Sequence, residues 1–139
     1  MTAIMNKKSG FLGLSGRSSD MRDLDAATRE GDIRSKIALK KLTYDTIKNV
    51  GAYIAEMNGV DLIVFTAGIG ENNPRLRRRV CENLSYMGVK IDADVNDSAR
   101  STETIISAPD STVKVALIPT NEELVIARDT MHIVSELEN

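Results

Sequence analysis

The sequence predicts an α/β fold in which parallel strands are connected by crossover helices. Two short apolar segments, residues 60–66 and 113–118, have the length and composition of buried strands. A long segment with helical spacing precedes the first strand, and a helical segment follows each of them. This order is typical of sheets whose ligands bind beyond the carboxyl ends of the strands.

The first long element is predicted to be a helix from Ile33 to Met57, in which apolar residues recur at roughly helical spacing. Asp32 is a suitable N-terminal cap, and Asn58 and Gly59 favour termination of the helix. Residues 9–23 are instead rich in glycine and serine, and we interpret them as a loop or a series of tight turns.

The strand at 60–66 contains a continuous apolar run at 62–65, so we expect both of its faces to be buried. A glycine loop is predicted at 67–73. Pro74 then suits the first position of a helix with Asn73 as its cap. The apolar face of this helix is expected to end at Gly88.

The last part of the chain is predicted to contain short strands at 89–91 and 105–107, with a partly helical stretch between them. Pro119 terminates the stronger strand at 113–118. The final helix opens at 120–123. Its apolar residues cover a wide arc, so we expect it to be largely buried.

Composition excludes several classes of protein. The 139 residues suit one domain, and a net charge of -2 does not indicate a nucleic-acid partner. A single cysteine excludes an internal disulfide and is typical of a reducing compartment. No apolar run approaches the roughly 20 residues of a membrane span, and the first residues lack the apolar core of a signal peptide. We therefore expect a cytoplasmic protein without membrane or nucleic-acid partners.

The glycine segment after the first strand is the first candidate site. Gly68 and Gly70 bracket Ile69, and glycines there permit positive φ and close approach of a ligand such as phosphate. The segment lacks the Lys-Ser/Thr pair of a P-loop, and Asn73 occupies the place of the third glycine of the dinucleotide fingerprint. Its spacing alone leaves open both nucleotide binding and a plain strand-to-helix turn.

The turn "PTNEE" is the second candidate site. Thr120 and Glu123 have the spacing of a capping box, in which Glu123 would accept a hydrogen bond from the Thr120 backbone N–H. Glu122 has no such role. It could hold a hard cation such as Mg²⁺, or it could simply complement the helix dipole.

Two further groups of charged residues are open to two interpretations. In an extended segment, Asp20 and Arg22 would point to the same side and could hold a ribose or a polar ring, but a local salt bridge is the simpler reading. For the arginine cluster we favour a solvated helix face over a phosphate clamp. Its members are Arg75, Arg77, Arg78 and Arg79.

Three motifs, "KKSGFLGLSGRSSDMRDL", "IVFTAGIGENNPRLR" and "LIPTNEELVIARDT", together resemble the C-terminal part of the acetate kinase (acetokinase) family. The resemblance covers essentially the whole chain, and the pair GIGEN and PTNEEL is highly specific. It implies a partial ribonuclease-H-like domain of the actin-like ATPase type. Residues 1–31 would be a nucleotide-contact loop region, and residues 32–139 a helix-strand-loop-helix core.

The resemblance also implies a function. The family transfers phosphate between ATP and acetate, giving ADP and acetyl phosphate, requires Mg²⁺ and works as a homodimer. Glu122 matches the position that the family associates with the metal. The implied nucleotide contacts, ATP or ADP, are at Asp20, Met21, Arg22, Gly68, Ile69, Gly70, Glu71 and Asn72.

The departures from the family pattern concern catalysis. The family's N-terminal domain and its catalytic groups have no counterpart here, so we expect the chain to be part of a longer enzyme and inactive by itself. No residue is assigned a catalytic role. A propionate kinase and a non-catalytic nucleotide-binding or dimerisation module remain as alternatives. Ala67 stands where many relatives have glycine, and Met21 replaces a side chain that is often larger.

Overall fold

The computed structural model describes residues 1–137 and divides the chain into two compact units, Met1–Gly59 and Val60–Asn139. The regular elements of the first unit are all helices. Helices α2 and α3 each pack against the long helix α4. The helices are α1 (Thr2–Lys7), α2 (Gly10–Ser15), α3 (Met21–Arg29) and α4 (Ile33–Glu56).

Helix α4 confirms the predicted bounds almost residue for residue. The Asp32 carboxylate caps it by accepting hydrogen bonds from the Arg34 backbone N–H at 3.0 Å and the Ser35 hydroxyl at 2.7 Å. The Ser35 hydroxyl bond is the main cause of a lowered pKa of Asp32. After the helix, Asn58 and Gly59 both adopt positive φ, at 55° and 128°, which turns the chain away.

The prediction of a loop over residues 9–23 is wrong, because this segment contains α2 and the first turn of α3. Gly16, with φ 69°, ends α2 in the left-handed conformation, and Asp20 caps α3. Leu24 and Ala27 of α3 are buried. Packing of both helices on α4 outweighs the weak helix propensity of the glycines and serines, since most helix stability in proteins comes from tertiary contacts.

The second unit contains a three-stranded sheet with the order β1-β3-β2. Strands β1 and β3 are parallel, as predicted, whereas β2 pairs with β3 antiparallel. The elements are β1 (Leu62–Phe65), α5 (Ala67–Asn72), α6 (Pro74–Asn83), a 3₁₀ turn (Ser85–Met87), α7 (Ala93–Ser98), β2 (Thr104–Ile105), β3 (Lys114–Leu117) and α8 (Glu122–Leu137).

Helix α6 begins as predicted, with Pro74 in the first position and the Asn73 side chain accepting a hydrogen bond from the Leu76 N–H at 2.8 Å. Helix α6 itself ends earlier than predicted, at Asn83, and Gly88 terminates the 3₁₀ turn that follows, in the left-handed conformation with φ 81°. The core of this unit includes buried apolar side chains and one thiol from α6, its following residue, β1 and β3. They are Leu76, Val80, Cys81, Leu84, Ile63, Phe65, Val115 and Leu117.

The prediction that β1 is buried on both faces is wrong. Ile63 and Phe65 are buried, but Leu62 and Val64 remain 45% and 42% exposed. Strand β1 lies at one edge of the sheet, and in the described residues the face that carries Leu62 and Val64 is not buried. Sequence composition reports only that a face is apolar, whereas burial depends on the element packed against it.

Helix α8 also differs from the prediction, because every one of its residues is exposed. The wide apolar arc that predicted burial is present, for example at Ile126 and Met131, which are 65% and 72% exposed. Among residues 1–137 no side chain of this arc is buried. Within the same residues, no helix combines the length and the apolar character needed to cross a membrane.

Candidate functional site

The carboxyl ends of β1 and β3 lie side by side because the two strands are parallel and Phe65 is paired with Leu117. The Ile118 N–H continues the ladder by donating to the Phe65 carbonyl at 3.0 Å. Helix α5 leaves from the end of β1, and the PTNEE turn leaves from the end of β3. We call the residues at this edge, Thr66–Asn72 and 119–122, the strand-end site.

Direct hydrogen bonds join the two halves of the strand-end site. The hydroxyls of Thr66 and Thr120 are 2.8 Å apart, and the Ala67 N–H donates to the Thr120 hydroxyl at 3.1 Å. The Thr120 N–H donates to Oε1 of Glu71 at 3.0 Å, and Glu71 is only 8% exposed. Two motifs about fifty residues apart in sequence therefore form one polar unit.

The predicted capping box between Thr120 and Glu123 is wrong. The Thr120 N–H is bonded to Glu71, which lies in α5, the helix that follows the neighbouring strand β1. Helix α8 is capped instead by Asn121, whose Oδ1 accepts from the Leu124 N–H at 3.0 Å. Parallel pairing of β1 with β3 brings in an acceptor that a pattern of four consecutive residues cannot contain.

The glycine segment is a short helix rather than the predicted loop, and its glycines do not supply the positive φ. Ala67 adopts φ 57° at the entrance to α5, whereas Gly68 and Gly70 have negative φ. A β-carbon at Gly70 would lie 3.4 Å from the Phe65 carbonyl carbon, so this glycine permits close packing on the end of β1. A β-carbon at Gly68 would meet nothing within 4 Å.

Apart from the half-buried Gly70, the predicted nucleotide contacts of the GIGEN motif separate into two groups. Gly68, Ile69 and Asn72 are exposed, with Ile69 43% exposed, so they border open space. The Asn72 side-chain amide donates to the Gly68 carbonyl at 3.1 Å. Glu71 is buried and engaged with Thr120, as described above.

The prediction of a solvated arginine face is confirmed for Arg78, which is ion-paired with Asp97 at 2.7 Å, and is wrong for Arg77. Arg77 is fully buried, and its guanidinium donates five hydrogen bonds to uncharged oxygens. Nη1 donates to the carbonyls of Gly70 and Glu71 at 2.8 and 2.7 Å. Nη2 donates to the carbonyls of Asn96 and Ala99 at 2.7 and 3.1 Å, and Nε donates to Asn96 Oδ1 at 2.9 Å.

The guanidinium of Arg77 thus connects the last turn of α5 to the end of α7. Burial lowers the pKa of Arg77, and the positive charge of Arg100 contributes further. At helical spacing, Arg77 lies on a different side of α6 from Arg75, Arg78 and Arg79. Its buried partner Asn96 gave no recognisable signal, because an isolated asparagine in a polar stretch resembles any surface residue.

In the first unit, Asp20 and Arg22 form a local ion pair and do not lie in an extended segment with both side chains directed at a ligand. Asp20 caps α3, accepts from the Arg22 N–H at 2.8 Å and pairs with the Arg22 guanidinium at 2.6 Å. The Arg22 side-chain hydrogen bond, followed by its backbone hydrogen bond, lowers the pKa of Asp20 to about 2. Met21 is the half-buried first residue of α3.

The predicted metal position, Glu122, is the exposed first residue of α8. In the part of the chain that the structure describes, no three acidic, histidine or cysteine side chains converge to form a metal site. Mg²⁺ is commonly bound through one or two carboxylates together with substrate phosphates. A lone carboxylate therefore fits a Mg²⁺ ion that arrives with a nucleotide, and does not fit a metal held by protein groups alone.

The fold is that of an actin-like ATPase. The solved structure of Porphyromonas gingivalis acetate kinase is similar over 96% of this chain, with a TM-score of 0.88 and 46% identity. The acetokinase family model matches residues 1–128. The chain therefore belongs to the acetokinase family.

Two further relatives define how much of a family member this chain represents. The acetate kinase of Pseudothermotoga lettingae is 55% identical over 131 residues, which cover 94% of this chain and 32% of that protein. The solved structure of a propionate kinase from Francisella tularensis has a TM-score of 0.79 and 36% identity, covering 91% of this chain and 32% of that one. The P. gingivalis structure is covered to 33%. The chain thus spans about a third of the length of these relatives.

Proposed function

We propose that this chain is the C-terminal, nucleotide-binding part of an acetate kinase, an enzyme that transfers phosphate between ATP and acetate to give ADP and acetyl phosphate. The observation that carries this proposal is the hydrogen-bonded contact between α5 and Thr120. It joins GIGEN and PTNEE, the two most specific motifs of the family resemblance, at the carboxyl ends of adjacent parallel strands, where such sheets bind ligands.

Each part of the strand-end site has a role in this proposal. Gly68, Ile69 and Asn72 border the nucleotide, because they are exposed and Gly68 leaves room for it. Gly70 permits α5 to pack closely on the end of β1. Glu122 binds Mg²⁺ together with the nucleotide phosphates. Asp20, Met21 and Arg22 of the first unit supply further contacts to the adenosine, in agreement with the resemblance of the SSDMRD motif.

The proposal places the groups that act on acetate and on the transferred phosphate outside these 139 residues. Phosphoryl transfer depends on several groups that position the reactants and stabilise charge together. We therefore expect the isolated chain to bind nucleotide without forming acetyl phosphate. The complete enzyme is proposed to be a cytoplasmic homodimer.

Propionate is the second candidate acceptor, because the propionate kinase from F. tularensis has a similar fold over 91% of this chain. The acyl group would contact residues outside the strand-end site. The nucleotide-binding role proposed for this chain is therefore the same for either acceptor. A comparison of kcat/KM for acetate and propionate, measured on the natural protein that carries this chain, distinguishes them. A protein that binds nucleotide and phosphorylates neither acid would support a non-catalytic module.

Nucleotide binding itself is tested with a matched pair of glycine variants. Gly68 and Gly51 both lie in helices, and a β-carbon at either would meet nothing within 4 Å. Both Gly→Ala changes should therefore raise helix stability, by about 1 kcal/mol each. Calorimetric titration of the chain with ADP and Mg²⁺ should show that Gly68→Ala weakens binding about tenfold or more, because a methyl group occupies ligand space.

The control variant Gly51→Ala should bind ADP as the unmodified chain does. If the unmodified chain does not bind ADP, or if both variants bind it equally well, the proposed nucleotide site is wrong. Thermal unfolding of both variants shows whether any loss of binding reflects loss of the fold.

A further inference from the structure

We propose that Glu71 is a positioning residue that couples the nucleotide segment α5 to Glu122, rather than a group that contacts the nucleotide. The inference rests on the proposed function, and it reassigns the one residue of the GIGEN motif whose side chain is buried. Its carboxylate accepts from the Thr120 N–H at 3.0 Å, and Thr120 precedes Glu122 by two residues.

The main chain of Glu71 is held independently of its side chain. Its carbonyl accepts a 2.7 Å hydrogen bond from the buried guanidinium of Arg77, which also holds the Gly70 carbonyl at 2.8 Å. The residue therefore starts from a rigid backbone position and extends its carboxylate to the neighbouring turn. Because the backbone of Glu71 is fixed, its side chain has few conformations to lose when the carboxylate binds the neighbouring turn. The carboxylate can therefore hold that turn in a defined position.

The turn at the other end depends on few contacts. Thr120 bonds to Glu71 through its N–H and to Thr66 and Ala67 through its hydroxyl. Asn121 then caps α8, whose first residue is Glu122 and whose residues are all exposed. Because no buried side chain of α8 anchors the helix, the contacts at Thr120 determine where the Glu122 carboxylate lies.

Loss of the Glu71 carboxylate should therefore change the position of Glu122 rather than the whole nucleotide site. A positioning role requires only an acceptor oxygen, which glutamine also provides. A direct role in binding metal would require the negative charge. The variants Glu71→Gln and Glu71→Ala separate these two roles, because only the second removes the acceptor.

The test uses the full chain and ADP, whose dissociation constant is measured by calorimetry with saturating Mg²⁺ and with EDTA. The ratio of the two constants is the Mg²⁺ enhancement. Glu71→Ala should reduce this enhancement about fivefold or more, as expected for loss of a coupling between two sites. Glu71→Gln should keep it. Glu123→Ala, the adjacent acid on the same helix turn, is the control and should keep it as well.

A double variant tests the route of the effect. Glu122→Gln should remove the Mg²⁺ enhancement by itself, and adding Glu71→Ala should produce no further loss, because both changes act on the same group. Hydrogen exchange gives a readout that requires no nucleotide. The Thr120 N–H should lose protection in Glu71→Ala and keep it in Glu71→Gln.

Three results would overturn the inference: equal loss of the enhancement in Glu71→Gln and Glu71→Ala, an unchanged enhancement in Glu71→Ala, or an additive double variant. Failure of the proposed function would look different, since the unmodified chain would then bind no ADP with Mg²⁺. Intact far-ultraviolet circular dichroism of each variant establishes that the comparison is made on folded protein.

Discussion

The Nε of Arg77 donates a 2.9 Å hydrogen bond to Oδ1 of Asn96, and both side chains are fully buried. The other four N–H groups of the guanidinium donate to backbone carbonyls at the ends of α5 and α7. Carbonyls at a helix C-terminus carry partial negative charge and lack partners within the helix, so they suit a buried cation. Arg77 therefore holds the helix that carries the GIGEN motif.

Replacement of Arg77 by methionine should lower the free energy of unfolding by about 3 kcal/mol or more, because several buried oxygens lose their donor at about 1–3 kcal/mol each. Urea unfolding measures the change. Arg79→Met on the same helix is the control, since Arg79 is exposed and should change stability by no more than about 0.5 kcal/mol. Equal effects of the two variants would show that the buried hydrogen bonds contribute little.

Ala67→Gly should stabilise the protein by about 1 kcal/mol, because Ala67 adopts φ 57°, a conformation that glycine enters without steric cost. The control is the same change at Ala52, an exposed position inside α4, where glycine should destabilise by about 1 kcal/mol. Thermal unfolding should therefore show a higher melting temperature for Ala67→Gly and a lower one for Ala52→Gly. A loss of stability at both positions would contradict the backbone conformation at Ala67.

Asn121→Ala should weaken the start of α8, whereas Glu123→Ala should have little effect. Asn121 accepts from the Leu124 N–H, and loss of such a cap typically costs about 1 kcal/mol. Hydrogen exchange at the Leu124 amide reports this end of the helix directly, which matters because no side chain of α8 in the described residues is buried. Faster exchange in Glu123→Ala than in Asn121→Ala would instead support the capping box that the sequence pattern predicted.

Asp20 should titrate with a pKa of about 2 in the folded protein, below its ordinary value of 3.8. Because the folded-state pKa is the lower one, the stability that this carboxylate contributes is complete above about pH 4 and is lost as the pH falls toward 2. Carbon-detected NMR of the Asp20 carboxyl group measures the pKa. Arg22→Ala removes the main cause and keeps the backbone hydrogen bond, so the pKa should rise; no change on that substitution would contradict the ion pair.

Local signals in the sequence determined several elements correctly. Asp32 before α4, and Asn73 with Pro74 at α6, act on backbone groups within three residues, so their meaning does not depend on the rest of the fold. The apolar segment at β3 and its termination at Pro119 were equally readable. The three motifs also indicated the family, because their residue types and spacing are written in the chain itself.

The tertiary structure decided which groups meet. Four-residue patterns assigned the Thr120 N–H to Glu123, but parallel pairing of β1 with β3 brought Glu71 to it. Composition assigned Arg77 to solvent, but the approach of α7 to α6 enclosed it. Burial and hydrogen-bond partners depend on contacts between residues distant in sequence. A local segment contains only one side of such a contact, so its pattern cannot reveal the free energy of the contact. For that reason the sequence by itself determined the caps of α4 and α6 and the family, whereas only the assembled sheet decided how the site is held together.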